Sequence, residues 1–183
     1  MPPASLPTSR AATGYQVLPC PPERLDEVCR LRASVWIRAG ADAAAFPDGV
    51  WRTARDPRSQ HWIALAGNVV VGCASFCVSP KLDDVHQFET YELYGIAGRG
   101  PFGEQAGLVI HEEHRGRGIL RHLLDHQDEA ARRAGCEIAL RQASRALVPT
   151  LRRRGWHLHG PAIHDARFPN EEFSVMSLTL TPR

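Results

Sequence analysis

Apolar residues recur along this chain with two different spacings. Short, mostly apolar runs rich in valine, isoleucine and alanine are separated by stretches in which apolar residues return every three or four positions. The first kind of run is typical of strands and the second of amphipathic helices. The pattern therefore predicts a domain of mixed α and β structure.

The first half of the chain predicts a strand, two helical segments and a hairpin. The strand covers 15–19, and a helix follows because apolar residues return at helical spacing over 25–35. A second helical segment is predicted over 48–54, between two prolines. The strands of the hairpin, 61–66 and 69–78, are joined by Gly-Asn, a pair that favours a tight turn.

The second half has a clearer order of elements, which starts after an open segment. Residues 81–103 stay open, since 91–96 fits a strand while the glycines around it favour a loop. The pattern then predicts a strand over 104–111, a charged turn over 112–118, a helix over 119–134, a strand over 136–141, a short helix over 147–154, and strands over 157–163 and 173–180.

Length and composition favour one globular domain. The chain has 183 residues, of which 43% are apolar and 23% charged, within the usual range for soluble domains. Residues 15–183 are interpreted as a single domain. Residues 1–14, rich in proline, serine, alanine and threonine, are interpreted as a flexible tail.

Charge and hydropathy exclude several partners. The 22 basic and 20 acidic side chains leave a formal charge of +2, which is too balanced to indicate nucleic acid or an anionic membrane. No run of about 18 apolar residues occurs, and the first residues do not have the pattern of a secretory signal. We therefore expect a cytoplasmic protein without a membrane span.

The cysteines and histidines give no metal site at the expected spacing. The five cysteines are scattered, and Cys73 and Cys77 lie in one predicted strand without a second ligand pair, so free thiols are expected. His122 and His126 lie four residues apart but have no third ligand, so a solvated helix face is expected. His111 is interpreted as loop packing, with a role as a base as the alternative.

A short glycine motif lies between a predicted strand and a predicted helix. It consists of Arg115, Gly116, Arg117 and Gly118. Glycine lets the backbone approach a ligand, the helix start adds partial positive charge, and the arginines add formal charge. These properties suit a pyrophosphate, while a solvated turn is the alternative when such a motif stands alone.

The motif and its surroundings resemble the GNAT superfamily of acyl-CoA-dependent N-acyltransferases. The family signature is Arg or Gln, two free positions, Gly, one free position, then Gly or Ala. It aligns with residues 115–120, with Leu120 in place of the small residue, and the resemblance is close over 62–75 and 107–156. It implies an α/β fold with a mixed, mostly antiparallel central sheet, helices on both faces, and splayed fourth and fifth strands.

The resemblance also implies acetyl-CoA or another acyl-CoA as co-substrate. Its pantetheine arm is expected between the splayed strands, paired with the backbone of Leu108 and Ile110. Ser144 occupies the place of an asparagine that often contacts the cofactor. The pyrophosphate is expected on the glycine loop, formed by Arg115, Gly116, Arg117, Gly118, Ile119 and Leu120.

Glu104 is the candidate general base for removing a proton from the amine. It lies eleven residues before Arg115, the spacing of the glutamate base in histone-acetylating members of the family. Strand alternation predicts that it shares a face with Leu108 and Ile110. A solvated carboxylate at the start of a strand is the alternative.

No general acid is evident. Leu151 stands where members of the family often have a tyrosine. Thr150 is adjacent but faces another way on a helix. Tyr91 and Tyr94, from the open segment, are interpreted as packing or acceptor contacts.

The acceptor is expected to be a small-molecule amine rather than a protein. In similar folds the acceptor site is built from the first helices, the loop before the fourth strand and the last hairpin. These regions offer aromatic and basic side chains that suit a carboxylate-bearing or aromatic amine, with Trp36 alternatively in the core: Trp36, Arg38, Trp51, Arg52, Tyr91 and Tyr94.

Together these features predict an N-acyltransferase that moves an acetyl or other acyl group from acyl-CoA to an amine by direct transfer. One alternative keeps the fold but uses a carrier-bound or long-chain acyl donor. The other is a non-catalytic domain that binds CoA or another ligand. The oligomeric state stays open, with a homodimer as one option.

Overall fold

The computed structural model describes residues 14–180, so the predicted tail lies outside the described residues except for Gly14. The strands are β1 (Tyr15–Pro19), β2 (Gln60–Ala66), β3 (Val69–Ser79), β4 (Phe102–Ile110), β5 (Ile138–Ser144), β6 (His157–Pro161) and β7 (Phe173–Thr179). The helices are α1 (Leu25–Arg38), α2 (Phe88–Glu92), α3 (Ile119–Arg133) and α4 (Val148–Arg153).

The seven strands form one open sheet in the order β1-β2-β3-β4-β5-β7-β6. Helix α1 packs on β3 and β4 at one face of the sheet. Helix α3 packs on β1 to β4 at the other face. The core beneath α3 also contains Leu151 of α4. Among residues 14–180, no helix is both long and apolar enough to cross a membrane. The predicted α/β architecture with helices on both faces is confirmed.

Strands β4 and β5 form the parallel pair of an otherwise antiparallel sheet. Their pairing covers only Phe102 with Ile138, Gly103 with Ala139, and Glu104 with Leu140. β4 then continues to Ile110 and β5 to Ser144 without further pairing between them. The predicted splay of the fourth and fifth strands is confirmed, and its vertex lies at the Glu104–Leu140 pair.

The structure differs from the sequence predictions for one helix and for one strand boundary, and it defines part of the open segment. No α-helix forms over 48–54. Asp48 has a φ of +57°, outside the right-handed helical region, and a single 3-10 turn, Pro47–Gly49, overlaps the range instead. In the open segment, 91–96 forms no strand, since α2 occupies its beginning. β5 starts at Ile138 rather than at Cys136, whose amide bonds back to α3 at 3.0 Å.

A β-bulge interrupts β4. Ser75 of β3 pairs with Ala106, and Cys73 pairs with Val109, so two residues of β4 lie opposite one residue of β3. One of the two, Gly107, has a φ of +61°. The bulge therefore shifts the alternation of side chains between its two ends.

This shift contradicts one prediction about the site. Before the bulge, Glu104 bonds to Ser79, which shares a face of β3 with Cys73 and so faces α1. After the bulge, Leu108 and Ile110 pack in the core beneath α3. The prediction that Glu104 shares a face with Leu108 and Ile110 is wrong, because one extra residue reverses the alternation.

Candidate active site

The separated edges of β4 and β5 enclose an opening, called here the V gap, between residues 105–110 and 141–144. β4 pairs with β3 as far as Ile110, so only its other edge lacks a neighbouring strand there. Because Leu108 and Ile110 turn their side chains into the core, main-chain groups line this edge. A free strand edge binds an extended ligand through its N–H and C=O groups.

The loop after β4 presents a row of unpaired amides at the start of α3. Gly116 and Gly118 have φ angles of +72° and +85°, and the amides of residues 116–120 donate no hydrogen bond within residues 14–180. A Cβ at either glycine would meet no atom within 4 Å, so the space before the loop is open. Such a loop suits a phosphate-bearing ligand.

The two arginines of the motif are held beside this loop. Arg115 donates to the carbonyl of Ile110 at 3.2 Å. Arg117 donates to the hydroxyl of Tyr15, with its guanidinium 5.6 Å from the ring centroid. Leu120 packs against the main core, so its bulk does not fill the loop. The departure at this position of the family motif leaves the amides accessible.

Glu104 is buried at the vertex of the V gap, with a relative exposure of 8%. Its Oε1 accepts hydrogen bonds from Arg55 and from the hydroxyl of Ser79. Its Oε2 accepts one from the amide of His86 at 2.9 Å. An ionised carboxylate offers about four acceptor positions, so one position on Oε2 stays open.

His86 brings a second titratable group next to Glu104. Its imidazole accepts or donates no hydrogen bond among residues 14–180, and burial together with the Arg55 guanidinium lowers the pKa of His86 below its ordinary value. The following residue, Gln87, has a φ of +54° and accepts a hydrogen bond from Gln142 of β5 at 2.9 Å. The segment before α2 is thereby tied to β4 at the vertex and to the β5 arm of the V gap.

The hydroxyl candidates lie in different places. Leu151 is fully buried, and Thr150 accepts a bond from a neighbouring arginine of α4. Tyr94 donates to a backbone carbonyl of β6 at 2.7 Å. Tyr91 is only 4% exposed, and burial, with the charge of Glu104, raises its pKa. Since the charge of Glu104 acts on its pKa, Tyr91 is the hydroxyl candidate that lies near the vertex.

The aromatic and basic residues expected at the acceptor site are mostly engaged elsewhere. Trp36 and Trp51 pack on Phe168, with ring centroids 4.9 and 5.4 Å apart, which agrees with Trp36 as a core residue. Arg38 and Arg52 pair with exposed carboxylates on the surface. These arginines and tryptophans therefore serve packing and surface pairing.

The cysteines are free thiols, one histidine packs on an aromatic ring, and two others belong to a cluster of possible metal ligands. The five cysteines are free, and His126 stacks on Trp62 with centroids 5.8 Å apart. Within residues 14–180, His111, Glu113 and His114 bring ligand atoms within 4.8 Å of one another. An arginine of α1 donates to Nε2 of His111 at 2.9 Å, so Nδ1 holds the proton in the neutral ring. A metal bound through Nε2 of His111 would therefore have to displace this arginine.

Ser144 ends β5 at the far end of the V gap, four residues beyond the vertex residue Leu140. Its side chain makes no hydrogen bond within residues 14–180. The expected residues thus divide into the loop of residues 115–120, the strand edge of residues 108–110, Glu104 at the vertex, and Ser144 at the opposite arm.

Sequence reasoning did not find Arg55, Ser79, His86 or Arg141 as residues of the site. The first three reach Glu104 from separate turns and strands, and no local pattern links them. Arg141 had a signal, since it is a charged residue in an apolar run over 138–143. A lone charge in a buried strand needs a partner.

The family model described as the acetyltransferase (GNAT) family matches residues 25–156. The chain therefore belongs to the GNAT family of acyltransferases. No curated protein sequence matches it.

Several solved structures share the fold. A GCN5-related N-acetyltransferase from Ralstonia eutropha JMP134 is 24% identical, with 79% of this chain and 93% of that chain covered and a TM-score of 0.61. FeeM, an N-acyl amino acid synthase from uncultured soil microbes, is 14% identical, with 90% and 91% covered and a TM-score of 0.63. The CoA-dependent acyl-homoserine lactone synthase BjaI, solved with SAM and isopentyl-CoA, is 16% identical, with 87% and 77% covered and a TM-score of 0.65.

Proposed function

We propose that this protein transfers an acetyl or other acyl group from acyl-CoA to the amine of a small molecule, by direct attack within a ternary complex. The observation that carries the proposal is the continuity between the unpaired amides of residues 116–120 and the free edge of β4. Together they provide an anion-binding loop and a main-chain edge that leads to a buried carboxylate. A pyrophosphate followed by an amide-bearing arm has the matching chemistry.

The residues present fit this co-substrate. The amides of the loop would hold the pyrophosphate, with Arg115 and Arg117 beside it, and the β4 edge at Leu108 and Ile110 would pair with the pantetheine amides. Ser144 would line the opposite arm. The protein thus orients the thioester toward the vertex, where effective concentration supplies much of the rate.

Glu104 is the proposed base. The amine attacks the thioester carbonyl carbon, the C–S bond breaks, and a proton leaves the nitrogen for the open acceptor position on Oε2, directly or through a water. His86 is the second candidate, because its imidazole has no hydrogen-bond partner in residues 14–180 and its lowered pKa keeps it neutral at neutral pH. A thiolate leaves readily, so a strong general acid is not required.

The proposed acceptor is a small amine with a carboxylate or an aromatic group. FeeM is an N-acyl amino acid synthase and BjaI an acyl-homoserine lactone synthase, and both descriptions support an acceptor related to amino acids. Arg167 pairs with Asp165 and lies over the ring of Trp51. The charges of Arg167 and Asp165 both act on the pKa of His86, so a carboxylate that competes with Asp165 for Arg167 would bind near His86.

The test is calorimetric titration with acetyl-CoA and with free CoA. Gly118→Asp places a carboxylate where the phosphates are expected, and like charges in contact cost several kcal/mol, so affinity should fall by about a hundredfold or more. Gly135→Asp is the matched control, because Gly135 also has a positive φ, +68°, and open surroundings. Its binding should equal that of wild type, while Arg117→Ala should lose less than Gly118→Asp.

Binding that is lost only in the loop variant supports the pyrophosphate site and justifies a screen of amine acceptors. Absence of binding to folded wild-type protein would contradict the proposal and favour a carrier-bound acyl donor. Binding without turnover of any amine would favour a non-catalytic domain.

A further inference from the structure

Arg141 is a buried arginine at the vertex of the V gap. It follows Leu140, the last residue of β5 that pairs with β4, and its relative exposure is 2%. Its Nε donates to the carbonyl of Gln105 at 3.2 Å. Because Gln105 is the first residue of β4 beyond the paired part, the guanidinium bridges the two strands where they separate.

The guanidinium is only partly satisfied. Nη2 donates to the side-chain oxygen of Gln127, and the ring of Trp156 lies 5.7 Å from the guanidinium carbon. Nη1 is buried and has no hydrogen-bond partner among residues 14–180. An orphaned donor on a buried cation is costly, so a ligand that satisfies it gains affinity.

No carboxylate of the described chain bonds to Arg141. Asp128 is close, but its oxygens accept from Gln105 at 2.9 Å and from Arg154 at 2.6 Å. Arg32, which is also buried, by contrast donates directly to a carboxylate at 2.7 Å. Burial lowers the pKa of Arg141 to about 10, so it is still a cation at neutral pH.

The position of Arg141 corresponds to the end of the proposed donor site. From Ile110, beside the loop, to Glu104 is six residues of β4, which spans about 20 Å at strand spacing. This length is comparable with that of an extended pantetheine arm. An arm that starts at the loop therefore places its acyl group near the vertex.

We propose that Arg141 binds the free carboxylate of an acyl donor, and that the donor is a CoA thioester of a short dicarboxylic acid, such as malonyl-CoA or succinyl-CoA. The inference rests on the proposed function and specifies its acyl group. The carboxylate accepts from Nη1, while Nε and Nη2 keep their bonds to β4 and α3. A plain alkyl chain at this point would leave the N–H groups of Nη1 without a hydrogen-bond acceptor.

The test compares donors that differ in charge and match in shape. Malonyl-CoA is paired with isovaleryl-CoA, and succinyl-CoA with 4-methylpentanoyl-CoA, in calorimetric titrations without an acceptor. A hydrogen bond to a charged group gives about tenfold or more in affinity, so at least one carboxylate donor should bind that much more tightly than its branched partner. Equal affinity within both pairs overturns the inference.

Variants assign the preference to Arg141. Arg141→Gln should remove the difference within the pair, while Arg141→Lys should retain part of it, and Arg153→Gln, on the exposed side of α4, should leave it unchanged. Circular dichroism checks folding, and if Arg141→Gln does not fold, the wild-type comparison and Arg141→Lys still decide. A preference that persists in folded Arg141→Gln overturns the inference.

The result is separable from that of the proposed function. If free CoA and all four thioesters bind equally, the CoA site stands and the role of Arg141 falls. If neither CoA nor any thioester binds, the proposed function and this inference fall together.

Discussion

Glu104 both accepts three hydrogen bonds and keeps one acceptor position open, so its substitution tests a chemical role against a structural one. Glu104→Gln should lower kcat by about a hundredfold to ten-thousandfold, the usual contribution of a general base. The dissociation constant for free CoA should change little, because the loop at residues 116–120 is at the other end of β4. Steady-state kinetics and calorimetry measure the two effects.

The control for this prediction is Arg55→Met. It removes one partner of Glu104 and loosens the same turn, but it leaves the carboxylate in place. A kcat loss of equal size in both variants would contradict the role of Glu104 as the base and indicate that its hydrogen bonds only hold the segment before α2.

His86 gives a different pH dependence. Since burial and Arg55 lower its pKa, a His86 base would be active at neutral pH and would lose activity as pH falls through a value below 6.5. With Glu104 as the base, His86→Gln should cost less than about tenfold in kcat/KM and leave the shape of the pH profile unchanged. A profile whose acid limb vanishes in His86→Gln would assign the proton transfer to His86.

At the scale of elements, the bulge in β4 sets which side chains face the V gap and which enter the core. A Cβ at Gly107 would meet the hydroxyl of Ser75 at 2.7 Å and Nη2 of Arg32 at 2.8 Å. Gly107→Ala should therefore destabilise the fold by about 2–4 kcal/mol, from backbone strain at positive φ and from overpacking. Urea unfolding measures this loss.

Gly135→Ala is the matched control for the bulge. It has a similar φ and an empty surrounding, so it should show the strain alone, about 1–2 kcal/mol. Equal losses in the two variants would contradict tight packing around the bulge. If the bulge also sets the register of Leu108 and Ile110, Gly107→Ala should weaken CoA binding while Gly135→Ala does not.

The elements themselves were largely predictable, because hydrophobic period and turn residues are local signals. Turn residues predicted the hairpin at Gly67 and the end of α3 at Gly135. The family resemblance predicted the splayed strands. The bulge was not predictable, since one inserted residue leaves no mark on the hydrophobic pattern except a glycine. The helix expected over 48–54 failed because the left-handed Asp48 is imposed by the surrounding turns rather than by composition.

The candidate site also has one part that local sequence signals predict and another part that they do not. Residues 115–120 are consecutive, so glycines and arginines mark the loop in the sequence itself. The surroundings of Glu104 join Arg55, Ser79 and His86 from separate elements, and that proximity arises only through the fold. The sequence marks Arg141 only as a charged residue in a strand, and its position at the vertex depends on where the β4–β5 pairing ends.

For the whole molecule, a buried charged network links α1, the turn before β2, and the bulge. Arg32 donates to Asp56 at 2.7 Å and to Nδ1 of His61 at 3.1 Å, and Nε2 of His61 bonds to the carbonyl of Asp56 at 3.0 Å. Since arginine only donates, His61 must be neutral with its proton on Nε2. Arg32 also lies against Gly107, so this network supports the strand that carries the site.

Protonation of this network should reduce stability in acid. Burial and Arg32 lower the pKa of His61, so the unfolded chain binds a proton at higher pH than the folded chain does. The stabilisation is therefore complete above the ordinary value of 6.5 and decreases as pH falls through it toward the folded value. Burial alone would raise the pKa of Asp56, but Arg32 and the amide of Thr53 hold it below its ordinary value, which extends the loss to lower pH.

The variant His61→Gln isolates the contribution of histidine, since an amide can accept from Arg32 and donate to the carbonyl of Asp56 but does not titrate. Urea midpoints of both proteins between about pH 7 and about pH 5 measure the effect. The variant should be less stable at neutral pH, yet its midpoint should fall less with acid. A residual slope is expected from three other histidines with lowered pKa values, His86, His126 and His159. Parallel curves would contradict a neutral, buried His61, and the link between α1 and the bulge would then depend on the Arg32–Asp56 ion pair alone.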